Sequence, residues 1–298
     1  MKIEKWKEEN LIDLKGKLIV VTGATGVIAR FVIEGLLEKG ASVVLCYRNF
    51  SRAVELQNEL LNKFNNAVLF LEYLDLGDFA CVKDFVKRMY SEYSEGIDAF
   101  VNLAGCFSIP HRKSDIDLDV LFQTNAFVPC YLTEKMEDLL KLKNGRVVNV
   151  TSISHILYRG YDEENFEGAS LPEIKRYALS KRFLTLYSLN KMKQKSSVIL
   201  CHPGICNTNI IHPKNGGFSQ NFYKVASAFM KVVFPPPEKM ALCVLKAIIV
   251  PLSEGNLVSP SGGVYGFPKV KTLKYDSDML EDSKFVVSKI ESLIAKHN

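Results

Sequence analysis

The chain has 298 residues, 47% of them hydrophobic and 24% charged, a balance that excludes disordered and collagen-like classes and allows a large core. The formal net charge of +5 suits anionic ligands, but Lys and Arg are interleaved with Asp and Glu, so nucleic acid is not the expected partner.

Short apolar runs rich in Val, Ile and Leu recur in chain order at Leu18 to Thr22, Ser42 to Tyr47, Ala67 to Tyr73, Asp98 to Asn102, Arg146 to Thr151 and Ser197 to His202. They read as buried strands. Helical patterns at Ile28 to Lys39, Arg52 to Lys63, Cys81 to Ser91 and Val120 to Leu142 alternate with them. Such alternation predicts an α/β fold, a doubly wound parallel sheet covered by helices on both faces, with right-handed crossovers.

Ser170 and Glu173 have the spacing of a capping box, and Pro172 suits a first helical turn, so a helix is expected to start here and run towards Met192. Gly204 to Glu238 breaks the pattern with Gly216-Gly217, several aromatics and Pro235-Pro236-Pro237. It reads as a lid or substrate loop, at about 204–238, with a helix near Tyr223 to Val233. Helical pattern resumes at Glu238 to Val250, and a C-terminal amphipathic helix is expected at about 281–296. The absence of a repeat or linker predicts one domain over 1–298.

Cys46, Cys81, Cys106, Cys130, Cys201, Cys206 and Cys243 lie scattered, mostly in apolar runs, without metal-ligand spacing. They read as reduced core residues, with no metal expected. Met1 to Lys17 is too charged for a signal peptide, and no apolar stretch reaches the roughly 18 residues that span a bilayer. A soluble cytoplasmic protein is the expectation.

Three local patterns carry chemistry. Thr22-Gly23-Ala24-Thr25-Gly26-Val27-Ile28 follows the first strand and opens a helix, so backbone N–H groups and the positive helix end are available to a pyrophosphate. Tyr177 and Lys181 lie a turn apart on one helix face. A phenol titrates near 10 in water, and a neighbouring ammonium brings its proton transfer towards neutral pH. The second strand ends in Tyr47-Arg48-Asn49 without the carboxylate that would hydrogen-bond an adenine-side ribose and repel a 2'-phosphate. Arg48 offers a planar fork to phosphate, flanked by Tyr47 or Asn49, which favours NADP (NADPH) over NAD.

With these patterns in order, the chain resembles the short-chain dehydrogenase/reductase family from Leu14 to about Leu257. The resemblance rests on the glycine turn, Asp75-Leu76, Asn102-Leu103-Ala104-Gly105, Asn125, Thr151-Ser152, Tyr177 with Lys181, and His202-Pro203-Gly204. It implies a single Rossmann domain and a tetrad of Tyr177, Lys181, Ser152 and Asn125. Tyr177 is then the general acid or base, and Lys181 holds the nicotinamide ribose and lowers the phenol's pKa. Ser152 orients the substrate oxygen, and Asn125 kinks its helix and anchors a water leading to Lys181.

The same resemblance places Asp75 and Leu76 at the adenine, Ala104 and Gly105 beside the adenosine and Thr208 on the nicotinamide amide, and counts Asn102, Pro203, Gly204 and Ile205 among the cofactor-binding residues. Ala29 and Val27 depart from the commonest glycine pattern, and Leu103 replaces the second asparagine. The long interval from Ser152 to Tyr177, with His155, Tyr158, Tyr161 and Phe166, is most like the retinol-dehydrogenase-like branch, which acts on bulky apolar alcohols and carbonyls. Ile210, Ile211, Phe218, Phe222, Tyr223, Phe229 and Met230 supply an apolar lid for such a substrate, or pack against the protein itself. His202 and His212 read as structural. An NADP-binding regulatory protein without turnover, and an NADPH-dependent double-bond reductase, stand as alternatives. A homodimer is compatible with the resemblance, through the helices carrying Asn125 and Tyr177.

Overall fold

The computed structural model describes residues 2–107, 109–157, 164–194, 196–205, 235–251, 256–273 and 277–297. The six predicted strands form as β1 (Leu18–Thr22), β2 (Ser42–Tyr47), β3 (Val68–Tyr73), β4 (Ala99–Asn102), β5 (Arg146–Val150) and β6 (Val198–Cys201). Two further strands, β7 (Leu257–Pro260) and β8 (Pro268–Lys271), complete an eight-stranded sheet in the order β3-β2-β1-β4-β5-β6-β7-β8. All neighbours are parallel except β7 and β8, which pair antiparallel. Pro260 and Pro268 punctuate these last strands, and their weak apolar pattern hides them in the sequence.

Strand alternation divides the core between the two faces. Val20, Val44 and Phe100 point into one apolar cluster, with α4 (Phe79–Glu92), α8 (Glu173–Lys193) and α10 (Ser277–His297). Ile19, Val21, Val43 and Leu45 point into the other, with α1 (Ile3–Asn10), α2 (Val27–Glu38), α3 (Phe50–Lys63) and α9 (Pro237–Ile249). Phe79, Phe85, Phe100, Phe122, Phe127 and Phe183 are fully buried, and each contributes roughly 1.5–3 kcal/mol by leaving water.

Several predicted elements change. Val120 to Leu142 is not one helix but α5 (Val120–Phe122), a π turn (Gln123–Phe127), α6 (Val128–Lys135) and α7 (Glu137–Lys141). The capping box at Ser170 and Glu173 does not form: Pro172 is the N-cap without a side-chain cap, and Ser170 Oγ accepts from Asn165 Nδ2 at 2.6 Å. The C-terminal helix is longer than expected, and α1, whose Trp6 is buried, was masked in the sequence by its charge. Most of the expected lid, including Gly216, Gly217 and the helix near Tyr223 to Val233, lies outside the described residues.

Among the described residues, Cys46, Cys81, Cys106, Cys130, Cys201 and Cys243 are free thiols, and no His, Cys, Asp and Glu group is arranged for a metal. Cys206 lies outside them. No described helix is long and apolar enough to cross a membrane.

Candidate active site

The sheet's strand order reverses between β1 and β4, and in open α/β sheets the crevice at that point is where ligands bind. A cleft of about 850 Å³ opens there, lined by the β1–α2 turn, the end of β2, Asp75 to Gly77 and Leu103 to Phe107. A smaller hollow of about 200 Å³, bordered by Glu134 and Lys191, lies away from these motifs.

The β1–α2 turn is built for close approach. Gly23 has φ +65, and a Cβ there would lie 2.9 Å from Ala104 Cα, so a side chain is excluded both by conformation and by space. Thr22 secures the same contact, its hydroxyl accepting from the Leu103 and Ala104 amides at 3.0 Å each. Gly26 is the N-cap of α2 without a side-chain acceptor, and the first turn holds no carboxylate. The helix N-terminus therefore faces the cleft with free N–H groups and its positive end, which fits a pyrophosphate. Thr25, Val27 and Ile28 line the cleft beside it, and Ala29 is buried, its methyl accommodated.

At the other end of the cleft wall, Arg48 is exposed and has no ion pair among the described residues. Arg52, one helical turn on and overlooked in the sequence, also lines the cleft. Asn49 is placed differently from the expectation: its side chain accepts from Arg52 N at 3.0 Å and caps α3. Asp75 and Leu76 line the cleft, with Asp75 Oδ1 accepting from Gly77 N at 2.9 Å.

Ala104 and Gly105 line the cleft, and Asn102 does not. Its amide turns into the core, donating to Asn149 Oδ1 at 2.8 Å and to the Pro129 carbonyl at 3.2 Å. The paired register of Asn102 and Asn149 on β4 and β5 accounts for this, since both side chains then point to the same face. Pro203, Gly204 and Ile205 are likewise not among the residues lining the cleft; Gly204 has φ +98 and packs against the Val264 carbonyl. Thr208 is outside the described residues, with Tyr158, Tyr161, His212 and the apolar lid residues Ile210, Ile211, Phe218, Phe222, Tyr223, Phe229 and Met230.

The four tetrad positions converge just past Gly105. A Cβ on Gly105 would lie 3.5 Å from Lys181 Nζ and 3.2 Å from Asn125 Oδ1. Asn125 sits in the π turn, where Val128 N donates to the Gln123 carbonyl five residues back. Its amide grips the Cys106 backbone from both sides, accepting from N at 2.9 Å and donating to O at 2.8 Å. Such one-turn departures from α geometry cluster at functional sites.

Tyr177 is half-buried, its ring 4.8 Å from that of Phe107 in an edge contact. Burial raises its pKa, and a hydrogen bond with the Ser152 side chain opposes the rise. Lys181 is buried, and its Nζ donates to the Val150 carbonyl at 3.0 Å. Burial pushes its pKa down to about 8, and the nearby Cys106 thiol partly offsets this. Desolvation is the first influence on both groups in this arrangement.

His202 is structural in geometry, with Nε2 3.0 Å from the Gly263 carbonyl and a pKa pushed down to about 4, first by burial. His155 Nδ1 lies 2.6 Å from the Ser152 carbonyl. Phe166 packs into the core against Phe122 and Phe183, at 5.6 and 6.3 Å between ring centres.

A buried ionic network lies beside the tyrosine, with no pattern in the sequence to mark it. Arg176, the residue before Tyr177, donates to Asp119 Oδ2 at 2.7 Å and to the Ile109 carbonyl. Asp119 caps α5 through the Leu121 and Phe122 amides, and its own amide donates to Glu167. No spacing rule links residues 57 apart, so only the fold reveals the pair.

Sheet, switch-point cleft and glycine turn define a Rossmann-type α/β protein. A short chain dehydrogenase family model matches residues 17–163. Retinol dehydrogenase 13 of Homo sapiens is 26% identical over 207 residues, covering 66% of this chain and 61% of the human protein. The match thus spans less than two thirds of that relative's length. Short-chain dehydrogenase TIC 32 A, chloroplastic, of Brassica napus is 27% identical over 235 residues, covering 74% of this chain and 72% of its own. L-sorbose reductase from Gluconobacter frateurii, solved with NADPH and L-sorbose, shares the fold at a TM-score of 0.65 and 19% identity, covering 88% of this chain and 99% of that one. The chain is thus similar to short-chain dehydrogenases, and among them to the retinol dehydrogenases.

Proposed function

We propose that the protein is an NADP(H)-dependent oxidoreductase that interconverts an alcohol and a ketone or aldehyde, with a bulky or lipophilic substrate. The observation that carries this reading is the gathering of the tetrad side chains next to a dinucleotide-sized cleft: Lys181 Nζ and Asn125 Oδ1 lie against the cleft residue Gly105, and Tyr177 makes an edge contact with the cleft residue Phe107, with Ser152 beside its phenol. A bound nicotinamide dinucleotide supplies the hydride. Tyr177 gives its proton to the substrate oxygen in reduction and takes it back in oxidation. Ser152 donates a second hydrogen bond to the oxygen as it gains charge. Lys181 binds the nicotinamide ribose, and charging of its amine there favours the phenolate of Tyr177. Asn125 fixes the Cys106 backbone beside both.

Arg48 and Arg52 support the choice of NADP, because two guanidinium groups without an ion pair among the described residues line the cleft near the end of β2, where no carboxylate stands. The lipophilic substrate class rests on the sequence likeness to retinol dehydrogenases and on the aromatic content of the lid. A panel of aldehydes, ketones and their alcohols, followed at the nicotinamide absorbance with NADPH and NADH, tests the reading. Turnover of apolar carbonyls with NADPH is expected. Tight NADPH binding with no turnover across the panel would instead mark a regulatory nucleotide-binding protein.

A further inference from the structure

The connection between β4 and α5 presents three basic side chains in a row, His111-Arg112-Lys113, and treats them differently. His111 Nδ1 is 2.5 Å from Asp119 Oδ2, and Lys113 Nζ donates to Glu167 Oε1 at 2.7 Å. Both carboxylates are buried. Arg112 between them has no ion pair among the described residues and lines the cleft.

Its backbone is tied to the fold through two carbonyls. The Arg112 carbonyl accepts from Val120 N at 3.0 Å, and Arg176 grips the Ile109 carbonyl three residues earlier. Val120 in turn lies against the Asp75 to Gly77 wall, its Cγ1 3.5 Å from the Cβ position of Gly77. A guanidinium on a fixed mount loses little freedom on gripping an anion.

Position selects the anion. Arg48 and Arg52 rise from β2 and α3 on one side of β1, whereas Arg112 comes from the connection after β4 on the other. Between them lie the glycine turn and the α2 N-terminus. Among the described residues, three arginines without an ion pair and one carboxylate, Asp75, line the cleft and leave a positive field that a multiply charged anion relieves.

We propose that Arg112 is a clasp for the pyrophosphate of the bound dinucleotide, closing on it from the wall opposite Arg48 and Arg52. This deepens the dinucleotide reading of the cleft and rests on it. The pyrophosphate is common to NADPH and NADH, so Arg112 serves both, unlike Arg48.

Calorimetric titration of the full chain with NADPH and with NADH separates the possibilities. Arg112→Gln is exposed and should fold, which an unchanged melting temperature checks. It should weaken both dinucleotides by a similar factor, about ten- to hundredfold for a lost charge-assisted contact. Arg112→Lys, which keeps the charge without the planar fork, should recover part of the loss for both. Unchanged affinity in Arg112→Gln, or weakening confined to NADPH, would overturn the assignment. If wild type binds neither dinucleotide, the reading of the cleft falls and the clasp with it.

Discussion

Lys181 Nζ lies 6.0 Å from the centre of the Tyr177 ring, yet its hydrogen bond goes to the Val150 carbonyl at 3.0 Å. The ammonium is thus poised beneath the phenol and tied to the sheet, in a pocket dry enough to bring its pKa down to about 8.

That burial has a stability consequence whose sign is fixed. A free lysine titrates near 10.4, so the unfolded chain binds the proton more tightly than the folded one. The cost, on the order of 3 kcal/mol, is full below about pH 8, shrinks between about 8 and 10.4, and vanishes above. Lys181→Met removes this term while leaving other titrations in place. Denaturation of both proteins from pH 7 to 10 should show wild type gaining stability relative to Lys181→Met as pH rises. A pH-independent gap would mean that Lys181 is not desolvated as described.

Gly23→Ala should disable the nucleotide turn. Its φ of +65 and the 2.9 Å approach to Ala104 Cα leave a methyl nowhere to go. The left-handed conformation alone costs about 1–2 kcal/mol, and the contact with backbone adds to it. A lowered melting temperature with dinucleotide binding reduced at least tenfold is expected; binding at wild-type strength would show that the turn is not where the pyrophosphate sits.

Arg48→Ala should change which dinucleotide is preferred. Loss of charged hydrogen bonds worth about 1.5–3 kcal/mol predicts NADPH binding weakened roughly ten- to hundredfold, with NADH little affected. Equal effects on the two would remove Arg48 from the 2'-phosphate.

Most of the fold was legible because buried parallel strands read as unbroken Val, Ile and Leu runs, and β1, β2 and the start of β5 fall where those runs do. The glycine turn and the Tyr177–Lys181 pair were legible for a similar reason, being local patterns with a fixed spacing. What stayed hidden depends on distant partners. Asn102 and Asn49 carry amides suited to a ligand, but one is claimed by Asn149 across the sheet and the other by the α3 amide it caps. The resemblance attaches a helix kink to Asn125 but not its form, a π turn over Gln123–Phe127, and Asp119 meets Arg176 only once β4, α5 and α8 have packed.

That ion pair should be costly to break. Arg176 and Asp119 are both buried, and removing one partner strands the other charge at a cost of about 3–5 kcal/mol. Asp119→Ala is therefore expected to destabilise the protein by that amount in urea, and the Asp119→Leu, Arg176→Met double variant by clearly less. A double variant as unstable as the single would contradict the pairing.

The central claim is that Tyr177 transfers the proton. Steady-state turnover of an apolar aldehyde with NADPH, compared between wild type and Tyr177→Phe, tests it most directly, with NADPH binding measured on both. The account predicts that the variant binds NADPH as wild type does and loses turnover by about 100-fold or more, as expected for removal of a general acid. Turnover surviving in Tyr177→Phe at the wild-type rate would contradict it.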